Sequence, residues 1–108
     1  SNTRLQAPRT LYDWSYQDPT SWITQTHKTV ALLPRLQGWI DSTYPDTMIS
    51  VSEFNFGSDT CITSSMAHAE VLAIYSKYGV GLSTRWGQPA SGSLVEDSYS
   101  LFVNYDGK

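Results

Sequence analysis

Cysteine is almost absent. Cys61 is the only one in 108 residues, which excludes an internal disulfide and a cysteine-rich metal cluster. Histidine is limited to His27 and His68, neither with a partner at metal-ligand spacing, and both are expected to be surface or interhelical residues. A nucleophile pair of Cys61 with a histidine is weighed against Cys61 as a small buried or capping residue ahead of a helix, and the second reading is preferred. Seven basic against ten acidic residues give a net charge of −3. There is thus no basic footprint for a nucleic-acid backbone. No apolar run is long enough to span a bilayer. Nothing near Ser1 resembles a signal peptide and the first residue is not Met, so the expectation is a chain processed or cut from something longer. The length allows one domain at most.

Aromatic residues are plentiful: 13% of the chain, with four Trp and seven Tyr. Such rings serve a core or a sugar-binding or partner-binding surface, and composition does not separate these uses. One stretch stands out, Ile49-Ser50-Val51-Ser52-Glu53-Phe54-Asn55-Phe56-Gly57. Ile49 and Val51 alternate with serines, so a short strand is predicted over Met48 to Glu53. It ends on a carboxylate, then aromatic, amide, aromatic and glycine. Parallel-sheet enzymes build their sites at that edge. The alternative is that Glu53 simply leaves the strand and meets water.

Residues 1 to 18 have no clean period and are predicted to form an ordered loop. Its rings, Tyr12 and Trp14 among them, either pack an arm over the core or line a groove. Asp18-Pro19 predicts a helix opening, with Trp22 and Ile23 in a short turn. Apolar spacing over His27 to Thr43 marks an amphipathic helix. Proline costs about 3 kcal/mol in a helix interior, so this helix is expected to start near Leu33 with Pro34 in its first turn. A further helix follows Ser58-Asp59-Thr60, with Ile62, Met66, Ala69 and Ala73 beside Leu72 and Tyr75 as its buried face and Gly79 as its stop. Glu70 in that helix reads as a solvated or ion-paired side chain. Val80 to Trp86 is the second strand, and Leu94 to Tyr105, with Tyr99, Phe102 and Val103 at helical steps, the last helix.

Strands alternating with helices mean β-α-β units in an α/β fold with parallel pairing. Two parallel strands are too few for a stable sheet, so the chain reads as a piece of a larger α/β protein. A small flavodoxin-like domain would need more strands than are present.

The segments Arg9-Thr10-Leu11-Tyr12-Asp13 with Tyr16 and Asp18-Pro19, Leu33-Pro34-Arg35-Leu36 through Trp39-Ile40 to Tyr44-Pro45, Ile49 to Gly57, Ala69-Glu70-Val71-Leu72 with Gly79, Arg85-Trp86 and Asn104-Tyr105-Asp106-Gly107 stand in register with one family. Over nearly its whole length the sequence resembles the catalytic domain of glycoside hydrolase family 44, the endoglucanases and xyloglucanases. The resemblance implies that residues 1–108 are the C-terminal part of a (β/α)₈ TIM barrel: helix 6, strand 7, helix 7, strand 8 and helix 8. It implies a retaining endo-β-1,4-glucanase in which Glu53 is the catalytic nucleophile. Trp86 matches the ring under the sugar next to the cleavage point, against the alternative of an ordinary rim aromatic. Phe54, Asn55, Tyr12 and Trp14 are the further candidate substrate contacts.

Retention needs a second carboxyl about 5–5.5 Å from the first. In the family it follows an Asn-Glu-Pro-type motif on strand 4, which this sequence lacks, as it lacks the His and Tyr of strand 6. Asp13, Glu96 and Asp97 are misplaced for the role. The expected partner is β-glucan, with no cofactor, metal, nucleic acid or membrane, and the chain alone is expected to be inactive without the rest of the barrel. Polymeric glucan does not enter cells, so a secreted parent is expected. The competing class is a non-catalytic carbohydrate-binding or interaction module of the same fold.

Overall fold

The computed structural model describes residues 2–26 and 28–103. The reading of His27 and the Asn104-Tyr105-Asp106-Gly107 segment lie outside the described residues. The elements run α1 (Asn2–Gln6), a 3₁₀ turn (Ala7–Leu11), α2 (Ser21–Thr26), α3 (Leu32–Thr43), β1 (Ser50–Phe54), α4 (Ile62–Lys77), β2 (Leu82–Arg85) and α5 (Leu94–Val103).

The expected N-terminal loop is instead largely helical through Leu11. Pro8 lies early in the 3₁₀ turn and is buried there, its fixed φ suiting a helical entry and its missing N–H not needed. Beyond it the chain turns on Asp13, which accepts from the Ser15 amide at 2.8 Å. Asp18 accepts from the Thr20 amide at 2.8 Å, and Thr20 carries the carbonyl that starts α2. The helix therefore opens two residues later than the Asp18-Pro19 signal suggested. In α3, Pro34 occupies the first turn as expected, where no intrahelical donor is required of it. Leu33 is fully buried, whereas Trp39 lies in solvent.

The two strands pair in parallel, with Ser50 opposite Leu82 and Val51 opposite Ser83, and α4 makes the crossover between them. The core gathers Leu33, Ile49, Val71, Ile74 and Tyr75, with Leu36, Ile40, Val51, Phe54, Phe56 and Val80 against it. The expected face of α4 is corrected. Its buried residues are Ser64, Ala67, His68, Val71, Ile74 and Tyr75, whereas Ile62 and Met66 are 59% and 53% exposed. Apolar side chains occur all round this helix, so spacing alone could not select the inward face. α5 lies against α4 through serines: Ser98 Oγ donates to the Ser65 carbonyl at 2.8 Å, and the two hydroxyls are 2.7 Å apart. Val95 and Ser98 are its buried residues, and Phe102 and Val103 are exposed.

Candidate active site

The carboxyl ends of the two strands do not pair regularly. Val51 is opposite Ser83 and Phe54 opposite Arg85, so Ser52 and Glu53 together face Thr84, a β-bulge on β1. Its effect follows from the period of a strand. Ile49 and Val51 point toward the helices, and strict alternation would send Glu53 there next. The extra residue shifts the phase, so Phe54 takes the inward position and Glu53 is exposed on the opposite face. The Thr84 hydroxyl donates to the Ser52 carbonyl within the bulge. One residue past Arg85, Trp86 follows the alternation of β2 onto the same open face as Glu53 and is 65% exposed. The Trp86 amide donates to the Phe54 carbonyl at 2.9 Å and closes the pairing.

Two of the expected substrate contacts are also engaged by the protein itself. Phe54 is half-buried against the core, its ring edge-on to Tyr75 at 5.3 Å, because the bulge turned it inward, away from the face of Glu53. Asn55 spends most of its amide on the protein: Nδ2 donates to the Trp86 carbonyl at 2.8 Å, and Oδ1 accepts from the Gly57 amide at 2.7 Å. The latter is a turn in which the side chain mimics backbone and leads into Gly57 at φ +72°. Tyr12 and Trp14 engage other elements. Tyr12 stacks on Tyr78 at the end of α4, with centroids 6.5 Å apart, and Trp14 lies under the Arg35 guanidinium at 4.9 Å.

Behind the strand ends lies a cluster that sequence reasoning did not identify. Arg85 Nη2 donates to Asp59 Oδ1 at 2.5 Å and Nε to His68 Nε2 at 3.2 Å. Asp59 in turn accepts from the Ala90 amide at 3.0 Å. An arginine is always a donor, so His68 Nε2 carries the lone pair. The proton then sits on Nδ1, which donates to the Ser64 carbonyl at 2.7 Å. Of the two expected settings, surface or interhelical, His68 takes the second: it is completely buried, with Phe56 and Tyr99 of α5 against its ring. Burial foremost, then the charge of Arg85, holds its pKa below 6.5, although Ser64 and Asp59 pull the other way. The available signal was Arg85 itself, an inward-phase cation at a strand end beside an aspartate-bearing loop.

Cys61 occupies the position before α4, but it is exposed and its side chain caps nothing. It accepts from the Ser58 hydroxyl at 2.8 Å, while both nitrogens of His68 are engaged elsewhere. Glu70 is exposed on α4. Among the described residues no group of three His, Cys, Asp or Glu side chains is arranged to hold a metal ion.

No protein-family model matches the chain. It is 38% identical over 97% of its length to a beta-mannanase/endoglucanase A of Caldicellulosiruptor saccharolyticus, of which it covers 8%. It superimposes with a TM-score of 0.85 and 45% identity on Cel44A, a GH family 44 endoglucanase from Clostridium thermocellum, covering 97% of this chain and 20% of that one. A Paenibacillus polymyxa xyloglucanase of the same family, solved with xyloglucan, matches with a TM-score of 0.81 and 36% identity, covering 97% of this chain and 21% of that one. The chain thus spans about a fifth of the length of these structures and a smaller share of the curated relative.

Proposed function

This chain belongs to glycoside hydrolase family 44 along the length it spans, and from that premise we propose that it supplies the nucleophile side of a retaining endo-β-1,4-glucanase site. In this reading residues 1–108 are part of one catalytic domain, with β1 and β2 as strands 7 and 8 of a (β/α)₈ barrel. A Glu53 carboxylate oxygen attacks the anomeric carbon of a β-glucan. The glycosidic C–O bond breaks, and the leaving oxygen takes a proton from a carboxylic acid carried elsewhere in the parent. A water molecule, losing its proton to that same group, then attacks the anomeric carbon. The ester bond to Glu53 breaks, and configuration is retained after two displacements. The flat indole of Trp86 forms the floor under the apolar face of the sugar.

The observation that carries this reading is the bulge that brings Glu53 out of the helix-facing layer onto the face shared with Trp86. A carboxylate that only left the strand for water would need no such device. Polymeric glucan is too large to enter a cell, and a secreted parent follows as part of the proposal. In the full-length parent, Glu53→Ala is expected to lower turnover of soluble β-1,4-glucan by ~10⁴-fold or more. Polysaccharide affinity measured by gel retardation should be kept. An equal loss of binding and turnover would make Glu53 a structural residue.

A further inference from the structure

Arg85 precedes Trp86 by one residue yet points the opposite way, into the layer between the strands and α4, where its side chain is only 6% exposed. Its guanidinium has five N–H donors in a planar fork, and each finds a different acceptor. Nε reaches His68 on α4, and Nη2 reaches Asp59 at 2.5 Å and Asn55 Oδ1 at 3.3 Å. Nη1 reaches the Gly87 carbonyl and the Trp86 carbonyl, the latter at 3.5 Å. No donor is left for a substrate.

The acceptors have one thing in common. Asn55 is two residues past Glu53, Trp86 and Gly87 end β2, Asp59 lies in the loop before α4, and His68 is two turns into that helix. A single side chain therefore ties the ends of both strands to the helix behind them. Asn55 doubles the tie by donating to the Trp86 carbonyl that Arg85 also contacts.

We propose that Arg85 is a positioning residue for the proposed site, a clamp that fixes the angle between the Glu53 carboxylate and the Trp86 ring without touching the sugar. Two arguments favour geometry over simple stability. Buried ion pairs contribute little net stability against an apolar replacement. A bulged, two-stranded parallel edge also has few ladder bonds of its own to hold a carboxylate in place. Lysine does not substitute, since its three donors radiate from one point and cannot span acceptors on four segments. The neutral His68 belongs to the device, because only an unprotonated Nε2 accepts from Arg85.

This inference rests on Glu53 being the nucleophile, and the test separates the two. In the full-length parent, pre-steady-state hydrolysis of a dinitrophenyl β-cello-oligosaccharide gives a burst. Its amplitude counts competent molecules, and its rate reports attack by Glu53. Displacing a reacting group by about 1 Å costs ~10²-fold, so Arg85→Lys is expected to slow the burst by ~10- to 100-fold while a burst persists, with the substrate concentration that half-saturates the burst rate changed less than about 3-fold. Asp59→Asn should slow it in the same direction but less, and the double variant should be no slower than Arg85→Lys alone, because both loosen one clamp. A lower amplitude at an unchanged rate would mean that Arg85 only helps the chain fold, and would overturn the proposal. Should Arg85→Lys fail to fold, Asp59→Asn is judged by the same criterion. If Glu53→Ala still turned over at the wild-type rate, the nucleophile reading itself would fall. If Glu53→Ala were inert while Arg85→Lys kept its burst rate, only the clamp would fall.

Discussion

His68 is where protonation and packing meet most directly in this molecule. It is neutral and fully buried, accepts from Arg85 and donates to Ser64, with Asp59 across the guanidinium and Tyr99 of α5 against its ring. Burial also pushes the hydroxyls of Tyr99 and of nearby Tyr75 up to about 12, so both stay protonated through the neutral range. The folded pKa of His68 lies below the 6.5 of an ordinary histidine, and the unfolded chain therefore binds the extra proton first as pH falls. The stability contributed by the neutral ring is complete above 6.5 and is lost progressively below it, down to the folded pKa. The urea midpoint of the 108-residue chain should hold level above neutrality and decline as pH falls below about 6.5, and His68→Gln should flatten that decline. Asp13 and Asp18 act at more acid pH. Hydrogen bonds from Ser15 hold Asp13 below 3.8, and at Asp18 those from Thr20 and Thr10 prevail over the upward push of burial. A midpoint unchanged between pH 7 and 5 would show that His68 is not desolvated in the folded chain.

Helix α4 shows what an element can and cannot disclose by itself. Its end was legible, because Gly79 at φ +68° completes a two-bond cap. The Val80 amide donates to the Tyr75 carbonyl at 2.9 Å and the Gly79 amide to that of Ser76 at 3.3 Å, while Val80 packs on the core that holds Tyr75. Gly38 has the opposite relation to its element. It lies inside α3, where an added Cβ meets nothing within 4 Å and no special φ is needed. Gly79→Ala should destabilise the chain by about 1–2 kcal/mol, the cost of a left-handed Cβ. Gly38→Ala should stabilise it by about 0.5–1 kcal/mol through lost backbone freedom in the unfolded state. Chemical denaturation of both variants checks the pair, and shifts of the same sign would contradict this account of the caps.

At the scale of the whole molecule the face that carries Glu53 is open. Leu82, Trp86 and Met48 are 62%, 65% and 70% exposed, and among the described residues the sheet has two strands. Parallel sheets are ordinarily covered on both faces, and uncovered edges invite association. Three other carboxylates have partners of their own: Asp59 with Arg85, Asp13 with Arg9, and Glu96 with the Gly92 amide. The 108-residue chain by itself is therefore expected to bind a hydrophobic dye such as ANS, to self-associate at micromolar concentration, and to release no reducing sugar from β-1,4-glucan. Hydrolysis by the purified chain, abolished by Glu53→Gln, would show that a complete site forms without a second carboxyl from elsewhere.

The sequence by itself determined the elements that rest on local chemistry: the β-α-β order, the start of α3 around Pro34, the Gly79 cap and the carboxylate at the end of β1. Resemblance to a known family was legible for the same reason, since it too is carried by residues in linear order. Tertiary structure alone decided which way those elements face. Strand alternation fixes a side chain's direction only relative to a partner, and the bulge against Thr84 exists only once β2 lies alongside. That single offset turned Phe54 inward and Glu53 outward. The buried face of α4 was likewise chosen by its neighbours, because a helix apolar on every side carries no phase of its own. The cluster of Arg85, Asp59, His68 and Asn55 joins residues up to 30 positions apart, held in contact by the crossover and by nothing local in the chain.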